Sequence, residues 1–184
     1  GVVSYTTNMM EGMHQLGARA YVIANHAEPA GDGELVREVP SWGDIQRGGF
    51  DRVLAGLGRR LVPDYTDGRL LAERLLHVLT RVHRSDGIEI FETEESNGVA
   101  RLVIPRSPVP VVVRLHGPWF LVGPAANVDQ DAAYRRRLRR EQLALERAAG
   151  VSAPSQDVID RTRAFYGMEL PRGRVIPNPV RIVP

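Results

Sequence analysis

The sequence predicts an α/β fold in which helices cover both faces of a doubly wound, mostly parallel sheet. Short apolar runs alternate with helical patterns along the chain, which is typical of successive βαβ units. The runs are apolar throughout, as strands are when helices cover both faces of their sheet. The length of 184 residues and the 43% hydrophobic content suit one globular domain with a substantial core.

A helix and two strands are predicted first. Residues 3–16 carry apolar side chains at three- and four-residue steps, which predicts a helix, and Gly17 is suited to end it. The run AYVIA at residues 20–24 predicts a buried strand, and residues 35–39 predict a weaker one. Because the segment at residues 28–50 is rich in Gly, Pro and charge, we expect a long surface loop there.

Two helices and another strand are predicted in the middle of the chain. Residues 52–61 and 68–82 have helical periodicity, and Asp67 is suited to cap the second of these helices. Residues 87–91 predict the next strand, whereas residues 99–104 fit either a helix or a strand.

The second half of the chain repeats the alternation. Its clearest strand is at residues 109–115, and Pro110 places the start of that strand nearby. Ser155 and Gly167 are suited to cap the two ends of one helix. The remaining elements are, in order, a long helix at residues 131–149, a strand at 150–153, a helix at 157–166 and a last strand at 174–176.

These elements predict a Rossmann-like sheet. Such a sheet normally begins with a strand, followed by a Gly-rich turn and a helix, whereas this sequence begins at the turn. We therefore expect residues 1–184 to form a single domain that lacks its first strand.

Composition excludes several classes of function. The chain has no cysteine, which excludes disulfides and thiolate metal sites and favours a cytoplasmic location. No apolar run approaches the roughly 18 residues of a spanning helix. The formal net charge of +2 is a weak argument for nucleic acid. The other four histidines show no metal-ligand spacing: His14, His26, His77 and His83. We therefore expect no metal, and we expect no cofactor either.

His116 is the residue that we most expect to carry chemistry. It directly follows the strand at residues 109–115, and α/β sheets bind their ligands at the carboxyl ends of the strands. Gly117 lets the backbone turn there and expose the imidazole, which can donate a hydrogen bond or change charge near neutral pH. The alternative is a loop histidine whose hydrogen bonds are all made to backbone carbonyls.

Two further positions could contact a ligand. Gly1 begins the chain just before the first helix, where free N–H groups and the helix dipole attract a diphosphate. The alternative is a helix terminus that meets only water. Glu92 follows the predicted strand at residues 87–91, where a carboxylate could accept hydrogen bonds from sugar hydroxyls. The alternative is a solvated acidic loop.

The predicted helix at residues 131–149 has an arginine-rich face. Most of its arginines point away from the apolar stripe, which indicates a solvated face. A second interpretation is attraction to an anionic membrane surface through Arg135, Arg136 and Arg139. No aromatic residues are interleaved with the arginines, so nucleic acid is not predicted.

Several segments carry motifs that occur in the same order in one enzyme family. They are GVVSYTTNMMEGMHQLGARAYVIA at the start, DGIE from Asp86, VPVVVRLHGPWFLVG from Val109, ERAAGVSAPS from Glu146, FYG from Phe165 and VIPNPV from Val175. Together they resemble the N-terminal domain of family 4 glycosyltransferases across nearly the whole chain.

The resemblance implies one lobe of a GT-B fold, in which two Rossmann-like domains face each other across a cleft. It implies that this lobe binds the acceptor, while a C-terminal domain absent from this chain holds the nucleotide-sugar donor. His116 would be the cleft histidine near the reacting centre. Gly1 would belong to the diphosphate loop, and Asn178 would lie near the interdomain hinge.

The predicted function is therefore the acceptor-binding lobe of a metal-independent, retaining hexosyltransferase, as in polysaccharide biosynthesis. The acceptor would be a glycan or a lipid-linked molecule, and we expect Glu92, Gly117 and Trp119 to contact it. The enzyme would be cytoplasmic or peripheral at the inner membrane face, and the isolated lobe would be inactive. The alternatives are a non-catalytic doubly wound binding module and a membrane-surface adaptor.

Overall fold

Six short parallel strands and the helices between them make up the part of the chain that the computed structural model describes, residues 2–24, 35–38 and 67–180. This architecture confirms the predicted α/β class with its parallel strands. Gly1, the helix predicted at residues 52–61 and most of the loop predicted at residues 28–50 lie outside the described residues.

The strands form two hydrogen-bonded groups. One group pairs β1 with β2, and the other has the order β3, β4, β5, β6, with every pair parallel. Their bounds are β1 (Tyr21–Ala24), β2 (Leu35–Glu38), β3 (Phe91–Glu94), β4 (Val111–Arg114), β5 (Gly150–Ala153) and β6 (Gly173–Val175). Val113 in the centre of β4 lies opposite Thr93 and Val151 and is fully buried.

Six helices are described, and several end where the sequence predicts. They are α1 (Val2–Gln15), α2 (Asp67–Asp86), α3 (Ala100–Val103), α4 (Trp119–Ala125), α5 (Ala132–Arg147) and α6 (Gln156–Tyr166). Ser155 caps α6 by accepting the N–H of Val158. Gly17 follows α1 and Gly167 follows α6, and both have the positive φ that favours glycine.

Among the described residues, three buried clusters of apolar side chains hold the helices on the sheet, and the smallest packs Val78 and Val82 of α2 against β1. The other two are larger. One lies between α5, α6 and the strands β4 and β5, and the other joins α2 and α3 to the β3 side. Within the described residues, no helix is both long and apolar enough to cross a membrane.

The strand predicted at residues 87–91 is misplaced. Gly87 has a φ of +67° and follows the end of α2, so the chain turns there before β3 begins at Phe91. Ile88 packs with α2 and not in the sheet, which explains why its apolar character was misleading. Glu92 therefore lies inside β3 and does not follow it.

Two other expectations also change. β3 has the sequence FETE with alternating burial, so the prediction of strands that are apolar throughout is wrong for β3. Residues 99–104 form α3 and the start of a 3₁₀ turn, which settles their ambiguity in favour of helix. The seven-residue helix α4 was not predicted, because it contains Pro124 and is too short to show periodicity.

Candidate functional site

The loop after β4 opens into a cleft at the carboxyl edge of the sheet. The cleft has a volume of about 380 Å³ and is lined by Glu94, Glu95, Ser96, His116, Gly117, Trp119, Val122, Arg137 and Asn178. Three residues predicted from sequence to touch a ligand, His116, Gly117 and Trp119, therefore line the same cleft. A larger groove of about 690 Å³ lies along α2 and shares no residue with this cleft.

His116 lies beside the start of α1. Its imidazole meets the ring of Tyr5 edge to face, with 4.7 Å between the ring centroids. Tyr5 belongs to the first turn of α1, so the imidazole that follows β4 packs against the beginning of α1. A site at the carboxyl ends of the strands requires this juxtaposition.

The surroundings of His116 favour the neutral imidazole. Burial lowers the pKa of His116 below its usual value of 6.5, and the Arg114 guanidinium acts in the same direction. The carboxylates of Glu95 and Glu92 oppose this shift without reversing it. At neutral pH His116 therefore has one N–H donor and one acceptor nitrogen.

Two buried glutamates hold the backbone of the loop that carries His116. Glu95 accepts the N–H of His116 at 3.0 Å and that of Gly117 at 2.7 Å. Glu141 on α5 accepts the N–H of Trp119 at 3.0 Å. The loop thus presents the His116 side chain, and not free N–H groups, to the cleft.

Sequence reasoning missed the role of both glutamates. Glu95 belongs to the acidic stretch that begins at Glu92, and Glu141 lies four residues after Arg137. These local patterns indicate only a solvated loop and an i,i+4 ion pair. That pair is present, with 3.0 Å between Nε and Oε1. Neither carboxylate is exposed, however, with each residue only 1% accessible, and no local pattern reveals that burial.

Trp119 and Arg137 both line the cleft and contact each other. The guanidinium carbon of Arg137 lies 3.5 Å from the centroid of the Trp119 ring, a cation–π contact that fixes both side chains. Glu94 also lines the cleft. Burial, with a smaller contribution from the neighbouring Glu95 carboxylate, raises the pKa of Glu94.

Glu92 is not among the described residues that line the cleft. It accepts a hydrogen bond from the Tyr5 hydroxyl at 2.7 Å and one from the Ser152 hydroxyl at 3.3 Å. Burial, with the hydrogen bond to Glu92, raises the pKa of Tyr5. Glu92 therefore touches the site through Tyr5, which in turn contacts His116.

Asn178 lies where the chain leaves the sheet. Its Oδ1 accepts a hydrogen bond of 2.7 Å from Nη2 of Arg114, and Asn8 on α1 donates to the carbonyl of Pro179 at 2.8 Å. Arg114 is 1% exposed, and its Nε and Nη1 have no hydrogen-bond partner among the described residues. Its guanidinium instead lies 4.8 Å from the Tyr5 ring.

Three of the arginines of α5 lie on its outer face. Arg135, Arg136 and Arg139 are all exposed, as the solvated-face interpretation predicts. Among the described residues, no cluster of three His, Cys, Asp or Glu side chains could hold a metal ion.

Comparison with known proteins gives one family. A search of curated proteins finds no match. The model of Glycosyltransferase Family 4 matches residues 1–182, which includes every element described above. The parallel sheet with its helices is consistent with a Rossmann-like lobe of this family. Since the match spans nearly the whole sequence, the chain belongs to glycosyltransferase family 4.

Proposed function

We propose that this chain is the acceptor-binding lobe of a retaining glycosyltransferase that moves a hexose from a nucleotide sugar to a glycan or lipid-linked acceptor. One observation carries the proposal: His116 lines the cleft, and its imidazole, whose pKa is lowered by burial, packs against Tyr5 in the first turn of α1. A hydrogen-bond donor beside a helix N-terminus suits a reaction in which a diphosphate leaves a sugar.

The proposed lobe shares its substrates with a second, donor-holding domain. Gly1 would lie in the loop beneath the diphosphate. Asn178, which Arg114 holds against the sheet, would lie near the hinge to that domain. Gly117 and Trp119 line the cleft and would contact the acceptor directly, while Glu92 would act through Tyr5. This arrangement would hold the acceptor hydroxyl near the anomeric carbon.

Transfer by the natural full-length protein should be detectable with a panel of nucleotide sugars and glycan or lipid-linked acceptors. The product should keep the anomeric configuration of the donor sugar, which one-dimensional proton NMR reports directly. Activity should persist in EDTA, since no metal takes part. The 184-residue chain alone should give no transfer and no donor binding with a Kd below about 10 μM. An inverted product, or tight donor binding by the chain alone, would contradict the proposal.

A membrane-surface contact is a second proposal, favoured by the exposure of Arg135, Arg136 and Arg139 on α5. Replacing all three with glutamine should weaken binding to anionic liposomes by about 10²-fold, because clustered arginines add about 1 kcal/mol each near an anionic surface. The melting temperature should hardly change, since exposed charges alter stability by no more than about 0.5 kcal/mol. Unchanged liposome binding in a co-sedimentation assay would exclude this contact.

A further inference from the structure

The geometry points to Glu95 and Glu141 as positioning residues that together fix the loop carrying His116. They come from different parts of the chain, one from the turn after β3 and the other from α5, and both accept backbone N–H groups of this loop. The inference rests on the proposed role of His116 for its functional consequence. The hydrogen bonds themselves are independent of that role.

The two carboxylates account for every backbone N–H between His116 and Trp119. Oε2 of Glu95 accepts from His116 and Oε1 from Gly117. Oε2 of Glu141 accepts from Trp119, and the remaining residue, Pro118, has no N–H. Any other backbone conformation of this loop would have to break one of these hydrogen bonds, so the observed conformation is favoured.

Only carboxylates can do this at both positions. Each oxygen of Glu95 accepts one backbone N–H, and Glu141 divides its oxygens between Trp119 and Nε of Arg137. A glutamine would replace one acceptor oxygen with an NH₂ group and set donor against donor. The buried amide N–H groups and Arg137 also offset the cost of burying two charges.

The spacing between the two glutamates is set by a close backbone contact. Glu95 leads into a 3₁₀ turn at Ser96–Gly98, and the N–H of Gly98 bonds to the carbonyl of Glu95 at 2.9 Å. A Cβ on Gly98 would lie 2.3 Å from the carbonyl carbon of Arg140, the residue just before Glu141. The turn thus packs directly against the backbone of α5, which fixes the positions of the two carboxylates relative to each other.

Glu95→Gln and Glu141→Gln in the natural full-length protein test this inference by two readouts. Amide hydrogen exchange should rise by about 10-fold or more at His116 and Gly117 in the first variant and at Trp119 in the second, because a bond to a charged acceptor is lost. Exchange in the core strands should stay the same. In transfer assays kcat should fall by about 10-fold while KM for the donor changes little, since the loop geometry is lost but not the binding surface.

Matched variants separate positioning from general damage. Glu146→Gln alters an exposed glutamate on the same helix and should change neither loop exchange nor kcat. Glu95→Asp keeps two acceptor oxygens on a shorter side chain, so loop protection and kcat should be partly restored relative to Glu95→Gln. Should Glu95→Gln not fold, Glu95→Asp alone still tests the inference, since exchange should rise at residues 116–117 only.

Two results would overturn the inference. One is normal loop protection with normal kcat in both glutamine variants. The other is exchange that rises evenly through the whole domain, which is the signature of a purely structural role. A failure of the proposed function would give a different result. In that case His116→Ala would keep full activity, although the amides of the loop would still be protected from exchange in the wild-type protein.

Discussion

Replacing His116 with alanine in the full-length protein should lower kcat by roughly 10²-fold or more, about 2.7 kcal/mol of lost transition-state stabilisation. The imidazole borders both the cleft and the first turn of α1, where negative charge would develop on the leaving group. Stability should fall only by about 0.5–1.5 kcal/mol, the usual value of an aromatic pair such as that with Tyr5. Steady-state kinetics and thermal unfolding measure the two effects separately.

A second histidine provides the control for this substitution. His77 is exposed on α2 and does not line the cleft, so His77→Ala should leave both kcat and stability unchanged. A structural loop histidine would give the opposite pattern at residue 116, with lowered stability and near-normal turnover. That result would remove the catalytic assignment and leave the family and the fold intact.

The pH dependence of the same enzyme gives an independent check. Burial and Arg114 lower the pKa of His116 below 6.5, while Glu92 in β3 and Glu95 just after it oppose the shift. In the wild-type enzyme, the titration of His116 should therefore change kcat/KM below pH 6.5 and not between pH 6.5 and about pH 8. This change in kcat/KM should be missing from the profile of His116→Ala. A step above 6.5 would mean that the carboxylates dominate.

Gly98→Ala should be among the most destabilising substitutions in the domain. The new Cβ would lie 2.3 Å from the carbonyl carbon and oxygen of Arg140, and this backbone cannot rotate away as a side chain can. The φ of +60° at Gly98 also disfavours any other residue. Overpacking and left-handed strain together should cost about 3 kcal/mol, which lowers the melting temperature by about 6–12 °C.

Gly87→Ala separates the two causes. Gly87 has a φ of +67°, but a Cβ at this position would have no atom within 4 Å. Its substitution should therefore lower the free energy of unfolding only through backbone strain, by about 1 kcal/mol. Equal losses at Gly87 and Gly98 would show that the contact with α5 is not tight. Thermal unfolding followed by circular dichroism suffices for the comparison.

The sequence by itself determined the features that depend on local pattern. The strand that ends in Arg114, the helix capped by Ser155 and Gly167, and the position of His116 just past a strand end could all be predicted. Each depends on periodicity, capping chemistry or the rule that parallel strands present their carboxyl ends together. Those signals lie within a few residues of one another, so no knowledge of distant contacts is needed.

Tertiary structure alone decided which polar residues serve the site. Glu95 and Glu141 are 46 positions apart in sequence and look like ordinary surface glutamates, yet packing of the Gly98 turn on α5 buries both beside one loop. Glu92 likewise lies inside β3 and not in a loop after it, because pairing with β4 sets where that strand begins. Burial and register arise from contacts between distant segments, and local residue patterns carry no record of those contacts.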